Sequence, residues 1–187
     1  MSQAIEEFPA AVSIGTGNSV ARSKRWYAAY VKMHHERKVS QRLGQMGIEN
    51  FVPVQQEVHQ WSDRRKTVER VLIPMMIFVH ADPTERREVL TLSAVSRYMV
   101  MRGEGKPTII PDDQMERFRF MLDYSETTVS INEAPLEKGV AVRVIKGPLT
   151  GLEGELWEFK GKSQIAVRLD MLGCACVDMP KGYVERI

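Results

Sequence analysis

Apolar residues in this chain fall into short runs separated by dense polar and charged stretches, and one run dominates. Val71-Leu72-Ile73-Pro74-Met75-Met76-Ile77-Phe78-Val79 is nearly all apolar, rich in β-branched and aromatic residues, and too short to span a bilayer. It reads as a strand apolar on both faces, with Val71, Ile73, Met75, Ile77 and Val79 on one side and Leu72, Pro74, Met76 and Phe78 on the other. The short helices predicted around it can cover one face. The second face has no evident cover within the chain. Either something not visible in the pattern packs there, or it is a surface for a partner.

The remaining pattern supplies the neighbours of that strand. Trp26 to Met33 reads as a strand with Trp26, Ala28, Tyr30 and Lys32 on one face and Tyr27, Ala29, Val31 and Met33 on the other. A helix follows from about His35 to Met46, its buried stripe set by Val39, Leu43 and Met46, and Gly47 suits the residue just past its end. Phe51 to Val58 is a second strand, with Pro53 tolerable at an edge, and the polar stretch His59 to Arg70 forms the tip of a hairpin into the Val71 strand. Asp82-Pro83-Thr84-Glu85 carries a helix start, with Asp as N-cap, Pro in the first turn and Glu three residues after the cap. Tyr98 to Arg102 is a short strand. Pro111-Asp112-Asp113 opens a last helix with Met115, Phe118, Met121 and Leu122 on one side and acids near its positive end.

The order β, α, β-hairpin, α, β, α is the split β-α-β pattern of ferredoxin-like folds. The fold class is therefore α+β for residues 22–125, after a loose tail over residues 1–21. Residues 126–138 lack periodicity and read as a linker, with Asn132-Glu133-Ala134-Pro135 at their centre. Residues 139–187 have a different texture of short strands and frequent glycines. Val140 to Lys146, Gly154 to Phe159, Ser163 to Leu169 and Cys174 to Met179 are among five short strands expected to close a small all-β barrel. In the last of these, Ala175, Val177 and Met179 are the expected core side, which leaves Cys174 and Cys176 partly exposed and inert.

Composition narrows the function. Hydrophobic content of 43% and 27% charged residues suit globular domains, and no apolar run approaches the length of a membrane span. No charged start precedes the apolar residues of the N-terminus, as a signal peptide would require, and the two Cys suit a reducing cytoplasm. The net charge of +2 hides an asymmetry. Between Arg22 and Gly103 there are 15 Lys and Arg against 8 Asp and Glu, and from Glu104 onward 11 against 14. A basic first half suggests contact with nucleic acid or an acidic protein, although an uneven solvated surface has the same composition. There is no Gly-rich phosphate loop, nucleophile elbow or metal-ligand spacing, so neither an enzyme nor a cofactor is expected. His34 and His35 are adjacent and do not share a helix face as two metal ligands would at i, i+4.

Three stretches carry a resemblance. Trp26-Tyr27 opens the first strand, Ile73-Pro74-Met75-Met76-Ile77-Phe78-Val79 forms the apolar strand, and Val142-Arg143-Val144-Ile145-Lys146-Gly147-Pro148-Leu149-Thr150-Gly151-Leu152-Glu153-Gly154 looks like a KOW motif. In this order, from Arg25 to Ile187, the chain resembles NusG-type transcription elongation factors. Gln60-Trp61-Ser62-Asp63-Arg64-Arg65-Lys66 looks like the specialised paralogues, UpxY antiterminators of capsular-polysaccharide operons, and Trp-Tyr-x-x-Tyr-x-Lys is similar to the opening of RfaH. The resemblance implies a NusG N-terminal domain followed by a KOW domain, an SH3-like barrel.

It also implies a function for the uncovered face, which in these proteins binds the clamp helices of RNA polymerase. By position, Tyr30, Ile73, Met76, Phe78 and Tyr98 are the expected polymerase contacts, with Met76 standing where an aromatic is usual. The competing reading places all five in the core. Lys32, His34, His35, Arg37 and Lys38 follow the first strand, and Arg64, Arg65 and Lys66 crowd the hairpin tip. Of these, Lys32, His35, Arg64, Arg65 and Lys66 are the candidates for contact with upstream or non-template DNA, with Trp61 able to stack on a base. The implied partner of the KOW domain is the termination factor Rho or a small-subunit ribosomal protein. The expected function is suppression of pausing or termination by a cytoplasmic, operon-specific antiterminator. The alternatives are a housekeeping elongation factor and a KOW-bearing RNA-binding or ribosome-associated module. Conversion of the barrel to helices is disfavoured by its alternating β-branched residues and glycines.

Overall fold

A computed structural model describes residues 23–60, 65–132, 139–159, 161–169 and 172–187; the expected tail at 1–21 lies outside the described residues. The N-terminal sheet is antiparallel, built from β1 (Arg25–Val31), β2 (Glu49–Phe51), β5 (Met76–Ala81) and β6 (Val95–Tyr98) in the order β2-β5-β1-β6. Strands β3 (Val54–Gln60) and β4 (Arg65–Val71) form a separate two-stranded hairpin. Helix α1 (Glu36–Gln45) follows β1, α2 (Pro83–Leu90) follows β5, and α3 (Asp112–Tyr124) follows β6. The fold is α+β, with an N-terminal β-α-β region and an all-β C-terminal part.

The helix signals hold at their ends. Asp82 accepts from the Thr84 and Glu85 amides while Glu85 returns a bond to the Asp82 amide, a complete capping box with Pro83 in the first turn. Gly47, with φ 73°, turns the chain out of α1 in the left-handed conformation that glycine adopts freely.

Both predicted long strands are broken, and for one reason. Val71 ends β4 and Met76 begins β5, with Leu72–Met75 bending between two sheets. Likewise Phe51 ends β2 and Val54 begins β3. A proline lies in each break, Pro74 and Pro53, where the missing N–H leaves the ladder without a donor. The bend is tied down by other groups: the Leu72 amide donates to the Pro53 carbonyl and the Val31 amide to the Met75 carbonyl. The short strand expected at Tyr98 to Arg102 lies earlier, at Val95–Tyr98.

Alternation along β1 and β5 divides the sheet into two faces as the pattern requires. On one face Tyr27, Ala29, Val31, Ile77, Val79 and Ala81 pack under Val39 and Leu43 of α1 and Val89 of α2. On the other, Trp26, Ala28, Met76 and Phe78 pack with Met115, Phe118 and Met121 of α3. The second face therefore has cover after all, supplied by α3. Phe118 stands edge-on to both Phe51 and Phe78, each ring 6.0 Å away, a favourable quadrupolar arrangement.

The same apolar cluster continues past α3 into the C-terminal sheet, through Val142, Val144, Leu152, Ile165, Val167, Ala175 and Val177. That sheet contains β7 (Ser130–Asn132), β8 (Val140–Val144), β9 (Glu153–Phe159), β10 (Lys162–Leu169), β11 (Gly173–Asp178) and β12 (Val184–Arg186), ordered β12-β8-β9-β10-β11-β7. Strand β7 arises within the stretch read as linker and pairs with β11. Gly154 lets β9 approach β10, since a Cβ there would stand 2.6 Å from the Ala166 carbonyl oxygen. The cysteines depart from expectation. Both are buried, because Trp157 and Ala166 cover the side of β11 opposite Ala175 and Val177. Burial raises both thiol pKa values, that of Cys176 to about 11, which keeps them protonated and unreactive at neutral pH.

Candidate functional site

The candidate site is the end of the second sheet face that lies beyond the aromatic contacts of α3. Strand register sets its layout: Tyr30 lies opposite Met76, Ala28 opposite Phe78 and Trp26 opposite His80. The Phe78 end is roofed by Phe118. At the Met76 end, Tyr30, Leu72 and Ile73 are only partly buried and pack against the same cluster. The guanidinium of Arg97, from the adjacent edge strand β6, lies 5.2 Å from the centroid of the Tyr30 ring. Around this end Met33 and Met75 are exposed. Methionines suit an irregular contact surface, being flexible and polarizable.

The five expected polymerase contacts do not form one patch. Tyr30, Ile73 and Met76 fall at the same end, with Met76 lowest at 5% exposure. Phe78 is fully buried beneath Phe118 and offers nothing to a partner. Tyr98 lies on the opposite face, because β6 pairs Tyr98 with Ala29 rather than with Tyr30. There it meets Tyr27 edge-to-face at 5.8 Å and its hydroxyl donates to the Arg86 carbonyl of α2. Burial pushes its phenol pKa up, as expected for a core tyrosine. For Met76, Phe78 and Tyr98, all buried, the core reading replaces the docking one, which leaves Tyr30 and Ile73 as the accessible pair.

Beside the sheet end runs a cationic groove. Lys32, His35, Lys38 and Arg42 line a cavity of about 180 Å³ together with Val39 and Leu92–Ala94. The Lys32 amide donates to the Ala94 carbonyl, which holds the β1–α1 turn against the segment after α2. His35, at the N-cap of α1, donates from Nδ1 to the Met33 carbonyl, 3.0 Å away. Arg37 turns elsewhere and pairs with Glu69 of β4 at 2.6 Å. Arg42 is the groove residue that the sequence reading left out. Its signal was available, since His35, Lys38 and Arg42 are spaced i, i+3, i+7 along one helix face. Ser93 and Ala94 join only through tertiary contact. Of the hairpin-tip candidates, Arg65 and Lys66 open β4, paired with Gln60 and His59, while Arg64 and Trp61 lie outside the described residues.

Among the described residues no group of three His, Cys, Asp or Glu side chains is placed to hold a metal, and no helix is long and apolar enough to cross a membrane. The class that emerges is an α+β protein with a half-buried apolar sheet end next to a cationic groove. The chain belongs to the NusG family of transcription factors: the family model described as transcription termination factor nusG matches residues 24–119, about half of the chain. A curated relative, the transcription termination/antitermination protein NusG of Staphylococcus aureus strain Mu50, is 24% identical over 165 residues, covering 81% of this chain and 88% of the relative. Among solved structures, one described as domain interaction in Thermotoga maritima NusG matches at 19% identity with a TM-score of 0.49, covering 89% of this chain and 99% of that one. A structure of an Spt4:Spt5 complex matches at 13% identity and a TM-score of 0.30, over 87% of this chain and 97% of that one.

Proposed function

We propose that the protein is a transcription elongation regulator that docks the clamp helices of RNA polymerase on the Tyr30–Ile73–Met76 end of its sheet. Docked there, it bridges the DNA cleft and suppresses pausing or termination without chemistry of its own. The observation that carries this reading is the partly buried apolar strip of Tyr30, Leu72 and Ile73 around Met76, beyond the aromatic roof of α3. A helical hairpin laid on such a strip buries a continuous apolar area with a few large side chains at its centre. The groove of Lys32, His35, Lys38 and Arg42 then faces upstream or non-template DNA, where cations bind phosphate without reading sequence. Arg64, Arg65 and Lys66 extend the same role to the hairpin.

Within this function the protein is an operon-specific antiterminator rather than a housekeeping factor. The support is the resemblance of Gln60 to Lys66 to the specialised paralogues, together with Met75-Met76, which is nonstandard for the family's strand. The C-terminal sheet takes the partner that the KOW resemblance implies, Rho or a small-subunit ribosomal protein.

Binding to purified RNA polymerase tests the docking reading. Tyr30→Asp and Ile73→Asp are expected to weaken binding at least about tenfold, equivalent to about 1.4 kcal/mol, while the triple change of Arg64, Arg65 and Lys66 to Ala weakens it less and flattens its salt dependence. An RNA-binding or ribosome-associated module would show the reverse order. Chromatin immunoprecipitation tests specialisation: signal confined to one operon supports it, and signal on all transcribed genes overturns it.

A further inference from the structure

Two residues other than glycine among those described have left-handed backbone, His34 at φ 62° and Met75 at φ 61°. An L side chain in this region clashes with the following carbonyl, a cost that glycine avoids and asparagine reduces. Met75 is therefore costly where it stands. Its side chain does not offset that cost by burial, being 41% exposed and absent from the core clusters.

What holds the backbone there is visible. Glu36 is the one charged residue buried among the described residues, at 5% exposure. Its Oε1 accepts the Met75 amide at 2.7 Å, and the Val31 amide donates to the Met75 carbonyl at 2.9 Å. Both backbone polar groups of the strained residue are thus gripped, one from the first turn of α1 and one from β1. The grip fixes Leu72–Met75, which carries half-buried Ile73 into the docking strip and leaves the Met75 side chain outermost.

We propose that Met75 is itself a polymerase contact, its thioether chain reaching into the apolar surface of the docked helices, and that Glu36 is the positioning residue that holds it there. This rests on the docking reading given above and extends it to a residue that the family motif does not require to be apolar. An exposed methionine in a strained, doubly clamped turn, two residues from Ile73 and backbone-bonded to Val31 beside Tyr30, makes sense as a probe held ready for an apolar partner.

The test sets stability against binding. Met75→Asn tolerates the left-handed backbone and removes the apolar side chain. It is expected to leave the melting temperature unchanged or raise it, while weakening binding to purified RNA polymerase at least about fivefold, or about 1 kcal/mol. Met75→Leu, which keeps the apolar bulk, retains most of the affinity. Glu36→Gln still offers a carbonyl to the Met75 amide and keeps binding, whereas Glu36→Ala loses it at temperatures where circular dichroism shows the protein folded. Unchanged affinity in Met75→Asn overturns the assignment, as does a loss that follows a parallel fall in melting temperature. Equal affinity in Glu36→Ala and Glu36→Gln removes the positioning role. Tyr30→Asp separates this inference from its foundation. If Tyr30→Asp loses binding and Met75→Asn does not, only the new contact fails. If both bind as the parent does, the docking reading fails with it.

Discussion

The two faces of the N-terminal sheet are built from the same alternating strands, yet they end differently. The first is closed along its length by α1 and α2, with Tyr27, Ala29, Val31, Ile77 and Val79 all buried beneath Val39, Leu43 and Val89. The second meets its aromatic roof at the end marked by Phe78 and Phe51, where Phe118 sits on both rings. At the other end, around Tyr30 and Ile73, side chains are partly exposed, and Met33 and Met75 nearby are exposed. Apolar alternation alone therefore does not mark a docking surface. The proposed docking surface is what remains when a thirteen-residue helix roofs part of a face and stops.

This contrast can be broken most severely at the roof. Phe118→Ala empties the space above Phe51 and Phe78 and should cost about 3–5 kcal/mol, read as a large fall in urea midpoint. If the cost is below about 1 kcal/mol, α3 is not a true cover and the faces are more alike than described. At the open end the expected pattern inverts. Tyr30→Asp should lower stability by no more than about 1 kcal/mol while removing most polymerase affinity, because the ring is only partly buried and a carboxylate can reach water beside Arg97. On the closed face, Asp82→Ala removes the capping box of α2 and should cost about 1 kcal/mol with no change in polymerase binding.

The smallest effect lies where α3 meets the C-terminal sheet. Glu153 accepts from Arg143 and sits 3.6 Å from Arg117 of α3. The Arg143 hydrogen bond first, then the charges of Arg143 and Arg117, hold its carboxyl below the ordinary value. A carboxyl lowered on folding adds stability above its unfolded pKa of about 4.3, and that contribution disappears as pH falls through the lower folded value. The side chain is partly exposed and its ion pairs are screened by solvent, so a Glu153→Gln variant should differ from the parent only slightly at pH 7 and not at all in strong acid, in paired urea titrations.

Much of this architecture could be read directly. The alternation of β1 and β5, the stripe of α1, the capping box of α2 and the apolar side of α3 all depend on neighbours within a few residues. So does the cationic face of α1, although Arg42 needed the helix period to be applied one turn further. The site was legible only in part. Tyr30, Ile73 and Met76 share an end of one face, whereas Phe78 went under α3 and Tyr98 to the other side. The placement of Tyr98 follows from the register of β6 on β1, which shifts between Tyr30 and Val31, and no local pattern encodes that irregularity.

The sequence by itself determined which residues are apolar together, where helices begin and end, and that the central strands have two apolar sides. Those properties follow from periods of 2 and 3.6 residues and from caps, all set by covalent neighbours. Only the tertiary structure decided which element lies over each side. It divided two apparent strands at Pro53 and Pro74, laid α3 over Phe78 and left Tyr30 partly open. It also buried Cys174 and Cys176 under Trp157 and brought Glu36 to the amide of Met75, thirty-nine residues away. The reason is physical: a side chain's own pattern states that it must leave water, but the group that excludes the water comes from elsewhere in the chain.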